Sequence, residues 1–336
     1  MENCSNYSIF SATSAQIISD GVFGNSLMST TAIIGLAVSI CQLLTIAFWK
    51  PLRDLQQTLI INAALADALK AMSFAVPGFK RIIYAIMQRD EVITQFHCML
   101  WLFPMAFTTF YGLCSVLTLS LERLAVIAAP LLYWKHKRTF PCYLSILSCA
   151  VSLISAAGMF VGVSHDKLML SCNLMSTTTL NYYAFLVYFQ YVATGGIIVT
   201  NIITGILLRR RWRAAVEAKL NMKDFKSQIQ FNAMKAVFSV VGLCLLSFFS
   251  GMIYMAAIQK FDLVKKAFYG PFWGCLQMMR GVFDFGIYLL FSKKYRKGFL
   301  SVFGRYHCCR KTKVTPQGAH CYPRQLQRAA IARVDV

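Results

Sequence analysis

Six ionisable side chains stand in stretches that are otherwise apolar: Asp67 and Lys70, Glu122 and Arg123, Arg280 and Asp284. Each couple joins a carboxylate to a cation, and the first and last couples are spaced i,i+3 and i,i+4, so on a helix each shares a face. Charges in apolar surroundings are costly unless paired or turned toward a cavity, which marks such positions as functional candidates. The chemistry they offer is charge pairing and switching. Bond-making chemistry finds no support. His97, His136, His165, His307 and His320 are scattered in loops or near helix ends, and no nucleophile and base stand at a workable spacing. No metal-ligand spacing or phosphate-binding loop is present either, so we expect no enzyme activity, no cofactor and no metal.

The elements that must hold these charges are read from hydropathy. Of 336 residues, 57% are hydrophobic and 14% charged, where a soluble chain carries about a quarter charged. The apolar residues gather into seven blocks, at 26–49, 57–79, 98–127, 140–163, 181–208, 231–258 and 264–291. Each is long enough to cross a bilayer as a helix, which takes about 20 residues. Spanning backbone must satisfy its own hydrogen bonds, so helices are expected rather than open strands. The fold class is therefore an all-α membrane protein, a bundle of seven transmembrane helices.

Net charge is +21, and its placement gives the orientation. With the N-terminus outside, 24 of the 34 Lys and Arg fall on cytosolic segments, seven on outer loops and three within helices. That is the positive-inside bias. Nothing in the basic segments resembles a nucleic-acid motif, so nucleic acid is set aside as a partner and the bilayer is retained. Asn3 and Asn6 each begin an N-x-Ser sequon on the side expected to be outside, and are glycosylation candidates. No basic segment followed by an apolar run precedes residue 26, so the first membrane helix is expected to serve as the insertion signal. Of the twelve cysteines, Cys98 and Cys172 lie on the outer side, in an oxidising compartment, and are expected to form a disulfide. Cys308 and Cys309 follow a basic amphipathic stretch after the last helix; they read equally as palmitoylation candidates or as free cytosolic thiols. The division expected is an extracellular N-terminus at 1–25, the bundle at 26–291, a short amphipathic eighth helix at 292–304, and a cytoplasmic tail at 305–336 whose Pro and scattered Arg predict disorder.

Five motifs in order carry a family resemblance. Cys98 stands 25 residues before Arg123, and Glu122-Arg123-Leu124 is followed by Pro130-Leu131-Leu132-Tyr133. "NAALAD" runs from Asn62 to Asp67, "DFGIY" from Asp284 to Tyr288, and "LFSKKYRKGF" comes after it. Together these resemble the rhodopsin-like G-protein-coupled receptors across about residues 26 to 304. The chain departs from that pattern in lacking a Trp in helix four, a Pro in helix five and the Cys-Trp-x-Pro of helix six. Such degeneracy is similar to the divergent nematode serpentine chemoreceptors, the Srsx-like group in particular.

The resemblance implies a receptor in a plasma or ciliary membrane that binds a small molecule or peptide in its outer half and activates a heterotrimeric G protein inside. Under it, Glu122 neutralises Arg123 at rest, Arg123 meets the G protein when active, Pro130 and Tyr133 belong to the adjoining loop, and Tyr288 supports the active arrangement. Members of the family hold a sodium ion at the helix-two Asp; here Arg280 is expected either to fill that cavity and pair with Asp67 and Asp284, or to pair with Asp284 alone. Met105 stands where aminergic members carry an Asp, which argues against a cationic amine. Met105, Thr109, Tyr254, Trp273, Gly274 and Gln277 are the ligand-pocket candidates, and each is equally explained by packing. The alternative is a seven-helix transporter or ligand-gated channel, although no internal repeat or symmetric helix break supports it.

Overall fold

A computed structural model describes residues 3–49, 58–87, 93–137, 139–165, 167–169, 172, 177–217, 242 and 263–311. Helix α1 runs Asn3–Phe48, α2 Thr58–Ile86, α3 Gln95–Ala128, the short α4 Pro130–Lys135, and α5 Thr139–Ala157. Helix α6 follows at Leu180–Glu217, α7 at Leu263–Phe291 and α8 at Lys293–Lys311. Among the described residues, five helical stretches are long and apolar enough to cross a membrane: Val22–Phe48, Thr58–Tyr84, Gln95–Ala128, Thr139–Phe160 and Asn181–Arg211. These, with α7, match six of the seven apolar blocks to within a few residues. The block at 231–258 lies outside the described residues.

Two helices outrun their expected limits. Residues assigned to the N-terminal segment are helical from Asn3 onward, and α8 continues past 304 to Lys311. In both places the sequence holds no proline to stop the helix: the first comes at Pro51, and none lies between Pro271 and Pro316.

The bundle is built around α3. Of its most apolar window 72% is buried, against 33% in α1, α5 and α6, so α3 is walled by other helices while the rest turn one side outward. Side chains such as Ile146, Ile154, Val192 and Ile202 are exposed on those outer faces. Apolar surface of that extent suits hydrocarbon and not water. In hydrocarbon a polar group has no water to turn to, so helices meet through hydrogen bonds. Asn62 of α2 donates to Ser115 Oγ at 3.1 Å and accepts from the Tyr111 hydroxyl. Asn201 of α6 donates to Ser120 Oγ at 3.0 Å, and the Ser73 and Thr108 hydroxyls are 2.9 Å apart between α2 and α3.

At the outer end a two-residue ladder pairs β1 (Ile93–Thr94) with β2 (Leu168–Met169) in antiparallel register, Ile93 opposite Met169 and Thr94 opposite Leu168. Thr94 then caps α3 by accepting from the His97 amide. The Cys98–Cys172 disulfide fastens the loop after α5 to the top of α3. Gln95, itself buried, adds to the fastening: its Nε2 donates to the Thr177 carbonyl at 2.6 Å and its Oε1 accepts from the Ser164 amide. Arg81 of α2 donates to Asn25 of α1 and to the Cys172 carbonyl.

Candidate functional site

The cytosolic end of α3 is where the sequence places its switch. Ala129 leaves the helical region at φ −135° and ψ 67°, as expected of a residue that precedes proline. Pro130 then occupies the first turn of α4, where its missing N–H leaves nothing unsatisfied. This short break swings Tyr133 back against α3, and its hydroxyl donates to Glu122 Oε1 at 2.8 Å. Glu122 is 0% exposed and Tyr133 4%. Leu119 lies in a cluster with Leu59 and Leu144, Phe140 packs on that cluster, and the Phe140 ring meets Tyr133 edge-on at 6.1 Å.

Two atoms in this corner are unsatisfied. Glu122 Oε2 and Arg123 Nε are both buried and have no hydrogen-bond partner among the described residues. Arg123 acts on the Glu122 carboxylate through its charge, with no ion-pair contact between them among those described. Burial, reinforced by the Glu122 charge, pushes the Tyr133 phenol above its ordinary value, so it stays a donor at neutral pH. Beyond it α4 presents Leu131, Leu132 and Trp134 as exposed apolar side chains, and Lys137 Nζ lies 4.7 Å from the Trp134 ring centre. A buried carboxylate beside a half-buried guanidinium, both with spare hydrogen-bonding capacity among the described residues and rimmed by exposed apolar side chains, can exchange internal contacts for those of a docking partner.

Tyr288 is not part of this corner. It packs with Ile46, Val116, Ile197, Ile287 and Tyr295, a cluster that joins α1, α3, α6, α7 and α8. Its ring centre is 5.8 Å from that of Tyr295.

The other charged residues lie deeper. Asp67 and Lys70 line a cavity with Ser39, Gln277, Gly281 and three more residues of α1, α2 and α7. Lys70 is 3% exposed, and its Nζ donates to Gln277 Oε1 at 2.6 Å. Asp284 is buried on α7. The side chain of Arg280 lies outside the described residues, and so does its expected pairing.

With this geometry in place, the comparisons with known proteins become informative. The model of the family described as 7 transmembrane receptor (rhodopsin family) matches residues 38–284. The chain belongs to the rhodopsin family of seven-transmembrane receptors. Among solved structures, the crystal structure of squid rhodopsin is similar with a TM-score of 0.65 at 16% identity, covering 90% of this chain and 93% of that one. At that identity the likeness speaks for the fold, a seven-helix bundle. No curated protein matches the sequence.

The receptor's pocket candidates fall into distinct settings. Thr109 is buried and donates to its own helix at the Met105 carbonyl, 2.8 Å away. Met105 is half-buried and packs on two apolar clusters, one with Cys98 and Phe110, the other with Met28 and Phe74. At Gly274 a Cβ would come within 2.8 Å of Met28 Sδ and 3.1 Å of Phe74 Cδ1, so the glycine serves the close approach of α7 to α1 and α2. Gln277 turns to Lys70. Tyr254 and the side chain of Trp273 lie outside the described residues, as do the side chains of Asn3, Asn6, Cys308 and Cys309.

Sequence reasoning missed the partners more than the residues. The Asn201–Ser120 bridge and the Gln95 knot join positions that no motif links, and the motif that sets Tyr133 near Glu122 does not specify the hydrogen bond between them. A lone Asn at 201 in an apolar helix was the available signal, since such a residue needs a partner in hydrocarbon.

Proposed function

We propose that this receptor is chemosensory, binds a small molecule or peptide in the outer half of its bundle, and activates a heterotrimeric G protein through Glu122 and Arg123. The carrying observation is the cytosolic corner: a buried carboxylate held by Tyr133 on one oxygen, with its other oxygen and the Arg123 Nε left unsatisfied among the described residues. Such a corner favours two arrangements. In one, Glu122 neutralises Arg123; in the other, Arg123 finds acceptors on a docked partner, and a ligand that prefers the second shifts the population. The exposed Leu131 and Leu132 supply apolar area beside it. We assign the resting neutralisation to Glu122, partner contact to Arg123, loop shape to Pro130 and Tyr133, and support of the active packing to Tyr288.

The receptor is an integral, multi-pass membrane protein. Its residence in a plasma or ciliary membrane, and the division into segments 1–25, 26–291, 292–304 and 305–336, belong to the same proposal. The absence of a Trp from the fourth apolar block, of a Pro from the fifth and of Cys-Trp-x-Pro from the sixth supports the serpentine chemoreceptor reading.

The test is a ligand screen in cells that express promiscuous G proteins, with Arg123→Ala as control. Arg123→Ala is expected to abolish ligand-evoked signalling while surface expression persists. Undiminished signalling by that variant would reduce Arg123 to an anchor at the membrane edge.

A further inference from the structure

Lys70 is a buried charge for which the cytosolic switch has no use. It lies within the membrane span Thr58–Tyr84 and is 3% exposed. Such a position is tolerated only where the ammonium finds acceptors. One of them is across the bundle: Nζ donates to Gln277 Oε1 of α7 at 2.6 Å. Asp67, one turn earlier on the same face of α2, lines the same cavity. Gly281 brings the α7 backbone up to that carboxylate, since a Cβ there would stand only 3.4 Å from Asp67 Cβ and Cγ.

The cavity holds only about 10 Å³ of free space, room for one water-sized body, where drug-sized ligand sites take roughly 300–1,000 Å³. Its oxygen donors are the Asp67 carboxylate, the Ser39 hydroxyl and the Gln277 amide carbonyl, a hard set suited to a small inorganic cation. The Lys70 ammonium already holds one of these oxygens, and at this depth its charge repels a second cation strongly.

We propose that Lys70 is the resident cation of this cavity: its ammonium takes the place of an inorganic cation beside Asp67 and ties α2 to α7 through Gln277. The bundle is thereby balanced at its centre by a side chain that cannot dissociate. A bound ion can leave and make the packing depend on ionic composition; a lysine makes it constant. The reading is independent of any signalling partner.

Thermal unfolding of the purified full-length receptor in lipid nanodiscs tests it, with sodium chloride compared against choline chloride at matched ionic strength. The wild type is expected to unfold at the same temperature in both salts. Lys70→Met and Lys70→Gln remove the ammonium and leave Asp67 and Ser39 in place; each is expected to unfold about 3 °C or more higher in sodium than in choline. The Gln variant keeps an amide donor for Gln277, which guards against a misfolded Met variant. A sodium-specific rise in the wild type would overturn the proposal, because a cation then binds despite the lysine. Indifference to sodium in both variants would overturn it equally, because Lys70 is then not what keeps the ion out. Neither result bears on coupling at Arg123, which is read by signalling alone.

Discussion

Glu122 is fully enclosed, and the two changes that most directly interrogate it separate charge from hydrogen bonding. Glu122→Gln keeps a carbonyl oxygen to accept from Tyr133 and removes the charge that faces Arg123. Basal signalling is expected to rise several-fold, with little change in unfolding temperature. Tyr133→Phe does the reverse: the charge stays and the donor at 2.8 Å goes. Hydrogen bonds to charged groups contribute about 1.5–3 kcal/mol, so this variant is expected to unfold at lower temperature without gaining basal activity. Basal nucleotide exchange on a G protein and thermal unfolding, measured on both variants, check the pair. If the two variants behave alike, the corner acts as a packing unit and not as a charge switch. The pH dependence follows from the raised Tyr133 phenol. A folded value above the ordinary one means that its stabilisation is complete below pH of about 10 and is lost as pH climbs from there through the folded value. At neutral pH the hydrogen bond is constant.

Among the elements, α8 shows how much of a helix's position rests on a few aromatic contacts. Tyr295 is 3% exposed; its ring meets Phe285 edge-on at 6.1 Å, and Phe299 meets the same Phe285 at 5.5 Å. Its opposite side carries exposed Arg296, Lys297 and Leu300. Truncating a buried aromatic costs about 3–5 kcal/mol, and α8 has few other contacts to absorb that loss. Tyr295→Ala is therefore expected to speed hydrogen exchange of the α8 amides at least tenfold while α3 amides keep their protection. Unchanged exchange in α8 would mean that its position is held elsewhere. The helices themselves were legible in the sequence, because membrane spans are a matter of composition over about 20 residues. Their rotation was not. Lys70 and Gln277 are 207 residues apart, and nothing local says that their two faces meet. The same holds for Asn201 and Ser120, 81 apart. Glu122 and Arg123 were found by being charged in apolar company; Tyr133 was placed in the switch by a family motif, and only the break at Ala129 explains how it gets there.

For the molecule as a whole, orientation is the property on which every functional statement depends, since ligands arrive on one side and G proteins on the other. Two independent physical signals bear on it. Twenty-four of the 34 Lys and Arg lie on the segments assigned to the cytosol, where they meet the anionic lipid of the inner leaflet. The disulfide between Cys98 and Cys172 sits at the opposite end of the bundle from Glu122, and such bonds persist in oxidising compartments. Both support the proposed orientation, with the N-terminus outside and α8 inside. A receptor carrying one epitope tag at each terminus is expected to stain at its N-terminal tag in intact cells and at its C-terminal tag only after permeabilisation. The N-terminal tag also reports on Asn3 and Asn6, because glycan removal sharpens and lowers the band only if that end was lumenal. Staining of the C-terminal tag in intact cells would invert the bundle and put Arg123 outside, beyond the reach of any G protein.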